Sequence, residues 1–384
     1  MPKIQELSSH VADLIAAGEV VERPASVVKE LVENAIDAGA TAVTVELSAG
    51  GMTLIRVTDN GCGISPEDAP TAFLRHATSK IRNEHDLEAI GTLGFRGEAL
   101  AAIASVSRVE LLTKTPGAPL GTTLTIEGGA LLEQEEAGCP EGTTFLVRNL
   151  FYNTPARLKF MKRDVAEGAA AFAVVQHCAL SHPEVAFHFL KEGETALQTP
   201  GDGTLKSAIY SVFGRDLALG FTPVSGSGDA VSVEGFVSLP ACCRGTRGYQ
   251  HFFVNGRYVK SRTMQAAVEE AYKNQKMVGK FPGCVLQITM RLSAVDVNVH
   301  PTKTEVKFVS DKTVFDGVYY AVLSALGAGP TRPAFQTPTP SLTPSAPMTL
   351  HDVVQPPTTF IPVVPPTPTF LPAAATPATF IPMA

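Results

Sequence analysis

The chain has 384 residues, of which 45% are apolar and 18% are charged, and its formal net charge is −6. This length can bury the cores of two domains, and these proportions are ordinary for a globular protein. We find no secretory signal pattern and no run of about 18 apolar residues, so we expect a cytoplasmic location. The six cysteines are scattered without a C-x-x-C pair, which argues against a zinc site or a disulfide framework.

Charge is unevenly distributed along the chain. Residues 1–243 contain 18 Lys and Arg against 30 Asp and Glu, a balance of −12, whereas residues 244–312 contain 12 against 5, a balance of +7. A polyanionic partner would therefore meet the later segment. A basic face that is merely solvated explains the same charge balance equally well.

Residues 330–384 differ in composition from the rest of the chain. They hold 15 of the 29 prolines and almost no charge, which predicts a disordered or polyproline-like tail. The motif Thr-Phe-Ile/Leu-Pro recurs every ten residues, at 359–362, 369–372 and 379–382. A low-complexity linker is the simpler interpretation of these repeats, and a repeated peptide ligand is the alternative.

The chain before this tail mixes helical and strand periodicities. Predicted helices span 9–17, 24–38, 70–80, 98–104, 164–180, 262–274 and 312–326. Predicted strands span 42–47, 53–57, 106–114, 121–126, 143–148, 231–238, 250–254, 284–291 and 304–308. Because strands follow one another in runs, the pattern favours an α/β sandwich with a largely antiparallel or mixed sheet. The turn-forming stretch 200–203 indicates a domain boundary.

The helix predicted over 24–38 carries a polar stripe. At about 100° per residue, Glu30, Asn34 and Asp37 share one side of this helix, opposite Val28 and Leu31. A solvated helix face is the ordinary explanation for such a stripe. A carboxylate one turn from an amide would also suit a hydrated Mg²⁺, which prefers oxygen ligands.

Two glycine-containing segments follow. Asp59 ends a strand and precedes Gly61 and Gly63, where the lack of side chains would let a flat ligand approach the backbone. Residues 91–100 form a glycine-spaced loop that opens a helix, and free amides there suit phosphate oxygens. The loop is not a Walker A motif. Taken singly, the first segment could be a tight turn and the second a mobile surface loop.

These pieces in this order, with Gly142-Thr143-Thr144 after them, resemble the four ATP-site motifs of the GHKL ATPase superfamily. Longer strings are similar to one branch of it, the MutL-type mismatch-repair proteins, over roughly residues 1–327. These strings are IAAGEVVERP (15–24), RHATSK (75–80), GFRGEAL (94–100), NLFYNTPAR (149–157) and VNVHPTK (297–303).

The resemblance implies an α+β architecture in three parts. A GHKL-type α/β sandwich ATPase domain would occupy residues 1–205. A smaller α/β transducer and DNA-binding domain would occupy 206–328, and a disordered Pro/Thr-rich tail would occupy 329–384. MutL proteins normally continue past such a linker into a C-terminal dimerisation domain. We therefore expect constitutive dimerisation and metal-dependent nicking to be missing from this chain.

The resemblance also implies roles for individual residues. Glu30 would be the general base that activates the attacking water, and Asn34 would bind the Mg²⁺ that bridges the phosphates. Asp59 would accept a hydrogen bond from the adenine amino group, and Lys303 would reach the γ-phosphate from the second domain. The remaining implied nucleotide-site residues are Asp37, Gly61, Gly63, Thr78, Ser79, Gly94, Phe95, Arg96, Gly97, Leu100 and Thr143.

The function that the resemblance implies is that of a slow ATPase switch in DNA mismatch repair. ATP binding would order a lid over the phosphates and make a monomer dimerise through this N-terminal region. The lid would consist of Thr78, Ser79, Gly94, Arg96, Gly97 and Leu100. Arg257, Lys260 and Arg262 would contact DNA phosphates without sequence preference, and partners would be a mismatch sensor and a downstream nuclease or helicase. The alternatives are a non-catalytic DNA-binding adaptor, which would not need Glu30, and another GHKL ATPase such as a topoisomerase subunit.

Overall fold

The computed structural model describes residues 17–18, 20–80, 92–94, 97–228, 230–273, 275–296 and 306–327. Its first long helix, α1 (Pro24–Asp37), begins with a proline, whose fixed φ suits the first helical position. The helix ends in a Schellman motif around Gly39, which has a φ of +75°. The amide of Gly39 donates to the carbonyl of Ile36 at 2.9 Å, and that of Ala40 donates to Ala35 at 3.1 Å.

The later helices follow in chain order. They are α2 (Asp68–Thr71), α3 (Ala99–Ser105), α4 (Pro155–Leu158), α5 (Asp164–Ser181), α6 (Leu205–Phe213), α7 (Arg215–Ala218), α8 (Arg262–Ala271) and α9 (Asp311–Gly327). The strands are β1 (Ala42–Ser48), β2 (Leu54–Asp59), β3 (Arg108–Lys114), β4 (Gly121–Glu127), β5 (Ala130–Ala137), β6 (Gly142–Arg148), β7 (Ala186–Lys191), β8 (Glu194–Gln198), β9 (Phe221–Ser227), β10 (Val231–Ser238), β11 (Gln250–Val254), β12 (Arg257–Val259), β13 (Cys284–Met290), β14 (Val295–Asp296) and β15 (Lys307–Phe308).

The first sheet runs in the order β5-β4-β3-β6-β2-β1-β7-β8. Its neighbours are antiparallel except for β1 and β7, which are parallel. Every second residue of β1, β3 and β6 is buried, because one face of the sheet carries the core. Helices α1, α3 and α5 pack on that face. The predicted α+β class with a mixed, largely antiparallel sheet is therefore confirmed.

The second sheet runs in the order β12-β11-β13-β10-β9. Strands β11 and β13 are parallel, and the other neighbours are antiparallel. Helices α8 and α9 pack against each other, and α9 covers β9 and β10, which encloses a second core. A short antiparallel pair, β14 with β15, precedes α9.

A third apolar cluster joins the two sheets. Leu180 of α5 and Ile209 of α6 pack there with Phe253 and Val285 of the second sheet. The predicted boundary at 200–203 falls between β8 and α6, and the division at residue 205 stays a prediction. The tail 329–384 lies outside the described residues. In the part of the chain that the structure describes, no helix combines the length and apolar character that a membrane span requires.

Two histidines lie in the contact between α5 and the strands of the second sheet. The ring of His177 stacks on that of Tyr258 with 3.6 Å between centroids, and the ring of His251 lies 5.2 Å from His177. Burial lowers the pKa of His177 to about 3, helped by the charges of His251 and Lys260. Burial also lowers the pKa of His251 to about 4. Both rings are therefore neutral at pH 7.

We expect this contact to weaken the protein in acid. The unfolded chain binds protons at these histidines near pH 6.5, whereas the folded protein does not until about pH 4 or below, so stability falls as the pH drops below 6.5. The free energy of unfolding should decrease by about 4 kcal/mol between pH 7 and pH 5, about 2 kcal/mol for each histidine. Urea unfolding at the two pH values measures this. His251→Phe should reduce the decrease, and an identical decrease in that variant would contradict this account.

The predicted helix over residues 70–80 is wrong. The structure has only the four-residue helix α2, Asp68–Thr71, followed by turns. His76 adopts a positive φ of 61°, which a continuing helix cannot contain. The hydroxyl of Thr78 accepts the amide of Lys80 at 3.2 Å, a local bond that competes with helical pairing.

The other predictions locate most elements to within a few residues. The helix predicted over 9–17 lies almost entirely outside the described residues, as do residues 304 and 305 of the last predicted strand. Strands β5, β7, β8, β9, β12 and β14 and helices α4, α6 and α7 were not predicted.

Candidate functional site

The polar stripe of α1 is confirmed as one side of a helix whose opposite side is buried. Val27, Val28 and Leu31 are almost completely buried in the first core. On the polar side the ammonium of Lys29 lies 2.9 Å from the carboxylates of both Glu30 and Glu33. Burial acts to lower the pKa of Lys29, but the two carboxylates together raise it above its ordinary value. Lys29 therefore stays cationic and holds the Glu30 carboxylate on one side.

Two loops meet the last turn of α1. The carboxylate of Asp37 accepts the ammonium of Lys80 at 2.5 Å and the amides of Leu93 and Gly94 at 2.9 and 3.0 Å. The ammonium of Lys80 also donates to Oδ1 of Asn34 at 3.0 Å. The acidic end of α1 thus binds a cation from one loop and two backbone amides from the other.

The carboxylate of Asp59 lies at the carboxyl end of β2, close to the same helix end. Only 8% of Asp59 is exposed, and its Oδ1 accepts the amide of Gly61 at 2.8 Å. The amide of Cys62 donates to the carbonyl of Ala38, directly after α1, at 3.0 Å. Burial raises the pKa of Asp59, against hydrogen bonds from the backbone of Gly61 and Thr143.

A threonine hydroxyl that the sequence did not point to connects β3 with the segment after Asp59 and with β6. Oγ1 of Thr113, on β3, accepts the amide of Ile64 at 2.8 Å and lies 3.2 Å from the carbonyl of Gly142. It also lies 3.1 Å from Oγ1 of Thr143, whose residue pairs with Asp59 across β2 and β6. A threonine inside an alternating strand gives no sequence signal for such a role. Its importance follows from the sheet order, which places β3 beside β6.

Several further residues implied for the nucleotide site belong to the part of the chain that the structure describes. Thr78 and Ser79 lie in the irregular segment directly before Lys80. Gly97 has a φ of +63°, and a Cβ there would lie 2.5 Å from the carbonyl of Ala77, so the two loops touch. Leu100, in α3, packs against the first core. Phe95, Arg96 and Lys303 lie outside the described residues.

Arg157 connects two of the strings on which the family resemblance rests. Its Nη1 donates to the carbonyl of Val21 at 2.5 Å and lies 3.5 Å from that of Ala17. A Cβ at Gly18 would lie 2.2 Å from the guanidinium, so glycine makes room for it. The segment that leads into α1 is therefore fixed by an arginine more than a hundred residues later in the chain.

The three basic residues predicted to bind DNA differ in their surroundings. Lys260 and Arg262 are exposed. Arg257 is half-buried, and its Nη2 donates to the carbonyl of Thr92 at 2.6 Å. The structure therefore brings Arg257 to the loop next to α1, away from a purely solvent-facing position.

Together, the sheet, the covering helix α1 and the loops at its end define a GHKL-type ATPase domain. The family described as histidine kinase-, DNA gyrase B- and HSP90-like ATPases matches residues 22–138, and the C-terminal domain of DNA mismatch repair proteins matches residues 209–327. The Aquifex aeolicus MutL ATPase domain complexed with ADP is 30% identical, with a TM-score of 0.56, and the match covers 71% of this chain and 93% of that one. The chain belongs to the MutL family of DNA mismatch repair proteins.

Curated relatives agree with this assignment. The DNA mismatch repair protein MutL of Agathobacter rectalis is 49% identical over 343 residues, which is 88% of this chain and 53% of that protein. MutL of Geobacillus thermodenitrificans is 50% identical over 308 residues, 80% of this chain and 48% of that protein. The chain thus spans about half the length of the curated relatives it matches. A crystal structure of the N-terminal domain of a DNA repair protein aligns with a TM-score of 0.71 at 27% identity, covering 83% of this chain and 98% of that one.

Proposed function

We propose that the chain binds ATP with Mg²⁺, hydrolyses it slowly, and uses the nucleotide state to switch dimerisation and DNA or partner binding in mismatch repair. One observation carries this proposal. The side chains of Asn34 and Asp37, in the last turn of α1, lie close to the buried carboxylate of Asp59. The hydrogen bond between Cys62 and Ala38 joins the two halves of the site.

The adenine would lie at the Asp59 end. The backbone of Gly61 and of Thr143 already donates hydrogen bonds to the Asp59 carboxylate, which fixes its orientation. A carboxylate has about four acceptor sites, so it can also accept the adenine amino group. The burial that raises its pKa also strengthens a hydrogen bond to a correctly placed donor. Gly61 and Gly63 would let the flat base lie against the backbone.

The phosphates would lie between Asn34 and the loops that contain Lys80 and Gly94. Hard oxygen donors suit Mg²⁺, and Asn34 already holds a cation, the Lys80 ammonium, at 3.0 Å. No cluster of three or more His, Cys, Asp or Glu ligands occurs among the described residues. A Mg²⁺ held by Asn34 would keep several waters and complete its ligands with phosphate oxygens. When bound, Mg²⁺ would offset the charge that develops on the phosphates.

Glu30 would act as the general base. Its carboxylate lies one helical turn before Asn34, a spacing at which it can hold a water directed at the terminal phosphate. Lys29 fixes the carboxylate at 2.9 Å, so its orientation is set before the nucleotide arrives. Lys303 would contact the γ-phosphate from the second domain and report the nucleotide state to it.

DNA would meet the exposed basic residues Lys260 and Arg262, within the segment of balance +7. Contacts of this kind neutralise phosphates, so binding should be largely independent of sequence and weakened by salt. The match to the C-terminal domain of mismatch repair proteins supports this over a topoisomerase role.

Phosphate release with and without single-stranded DNA tests the proposal. We expect slow ATP-dependent release that DNA increases at low salt, an increase that should shrink as salt rises. Absence of ATP-dependent release would defeat the enzymatic part, and DNA binding without turnover would favour the adaptor alternative.

The substitution Asp59→Asn should weaken nucleotide binding without lowering the stability of the protein. The new amide oxygen can still accept the Gly61 N–H, but the new NH₂ group opposes the adenine amino group, so affinity for an ATP analogue should fall by about 10- to 100-fold. Because the folded pKa of Asp59 is raised, its ionisation costs stability as pH rises through that range, and asparagine removes this cost. Thermal melting at pH 7 should therefore show equal or higher stability.

Asp216→Asn, at an exposed position in α7, is the matched control and should leave affinity unchanged. Unaltered nucleotide affinity in Asp59→Asn would remove Asp59 from the site.

A further inference from the structure

The hairpin of β11 and β12 is anchored firmly to the second sheet. Asn255 and Gly256 form its two-residue turn, with φ values of +47° and +80°. The amide of Asn255 donates to the carbonyl of Ile288 at 2.9 Å, and its side-chain Oδ1 accepts the amide of Met290 at 3.0 Å. The turn is thus fixed to β13, so the backbone of the next residue, Arg257, is also held in place.

The same hairpin also contacts the first domain. Tyr258 stacks on His177 of α5 with 3.6 Å between ring centroids and 8° between ring planes. Beside it, Arg257 reaches across to the carbonyl of Thr92 at 2.6 Å. Two neighbouring residues of β12 therefore contact two different elements of the first domain.

The Thr92 contact continues into the site. The hydroxyl of Thr92 donates to the carbonyl of Gly94 at 2.7 Å, and the amides of Leu93 and Gly94 donate to Asp37. An unbroken series of hydrogen bonds thus runs from β12 through this loop to the end of α1. Because the series begins at Arg257, a displacement of β12 can be transmitted to the end of α1, and a displacement of α1 to β12.

We propose that Arg257 is a positioning residue that fixes the Thr92–Gly94 loop from the second domain. This inference rests on the proposed function, in which the loop covers the phosphates. A guanidinium is always charged and holds its donors in a rigid plane, so it can fix a carbonyl more firmly than a flexible ammonium. Lys260, three residues further on, is exposed and therefore remains available to contact DNA phosphates.

Hydrogen–deuterium exchange of the Leu93 and Gly94 amides tests the proposal without nucleotide. Because bonds from charged donors contribute most, Arg257→Ala should speed exchange of these amides by about tenfold, and Arg257→Lys should give an intermediate rate. Arg215→Ala, an exposed arginine in α7, is the matched control and should exchange like the parent. Core amides such as those of Val45 and Phe187 should not change in any variant.

Equal exchange of Leu93 and Gly94 in Arg257→Ala and Arg215→Ala would overturn the proposal. Acceleration throughout the core would also overturn it, since Arg257 would then serve general stability. This readout needs no turnover, so it stands even if the parent protein proves not to hydrolyse ATP.

Steady-state kinetics add a second readout. A loop that is loosened in ground state and transition state alike should raise KM for ATP by about fivefold while kcat stays close to that of the parent. A fall in kcat at unchanged KM would contradict a positioning role.

Discussion

Glu30→Gln is expected to lower kcat for ATP hydrolysis by about 10²- to 10⁴-fold, the contribution typical of a general base. Glutamine keeps the size of the side chain and can still accept a hydrogen bond from Lys29, but it cannot take a proton from water. The affinity for a non-hydrolysable ATP analogue should stay close to that of the parent, because the base acts after binding. Phosphate release and analogue titration measure the two quantities separately.

Glu33→Gln is the matched control for this substitution. Glu33 lies on the same helix, is also paired with Lys29 at 2.9 Å, and has a similarly low side-chain exposure, 13% against 19% for Glu30. It should retain turnover near that of the parent. Undiminished hydrolysis in Glu30→Gln, or an equal loss in both variants, would remove Glu30 from the role of base.

The second large effect is expected for Gly63→Ala. Gly63 has a φ of +66°, and a Cβ there would lie 2.2 Å from the carbonyl oxygen of Lys114. The alanine must therefore either force β3 away or shift the turn that follows Asp59. We expect the free energy of unfolding to fall by about 3 kcal/mol and nucleotide binding to be lost.

Gly117→Ala shows how much of this loss comes from the steric clash with Lys114 and how much from the positive φ. Gly117 has a similar φ of +76°, but a Cβ there would meet nothing within 4 Å. Its substitution should therefore cost only the positive-φ penalty, about 1 kcal/mol. Urea unfolding of both variants gives the comparison, and equal losses of stability would mean that the packing of Gly63 on β3 is unimportant.

The sequence predicted α1 well because its signals are local. Proline at the first position, an apolar stripe and a glycine after the last turn act within the helix itself. The helix predicted over 70–80 failed because tertiary contacts outweigh local propensity. Lys80 turns towards Asp37 and Asn34, partners more than forty residues away, and the chain bends at His76 to allow it.

The missed strands share weak local patterns. Strand β5 carries four consecutive polar residues, Glu133–Glu136, and is exposed along almost its whole length at the sheet edge. Strand β9 contains Pro223 and Gly226, which strand propensity disfavours. Pairing with an inner neighbour compensates for both, and a pattern within one segment cannot reveal that neighbour.

The candidate site could be assembled from motifs only as an ordered set. The stripe on α1 and the Asp59 turn were both visible in the sequence, but their meeting depends on the packing of α1 against β2 and on the hydrogen bond between Cys62 and Ala38. The position of Thr113 depends on the sheet order, and the hydrogen bond of Arg257 to Thr92 depends on the packing of the two sheets against each other. Neither arises from residues near each other in the chain.

A crystal structure with a non-hydrolysable ATP analogue and Mn²⁺ tests the central claim most directly, because anomalous scattering locates the metal. We predict the adenine amino group within about 3 Å of the Asp59 carboxylate and the metal within about 2.2 Å of Oδ1 of Asn34. Glu30 should lie one water away from the terminal phosphate. A nucleotide that contacts neither Asp59 nor Asn34 would contradict the assignment of this helix end as the ATP site.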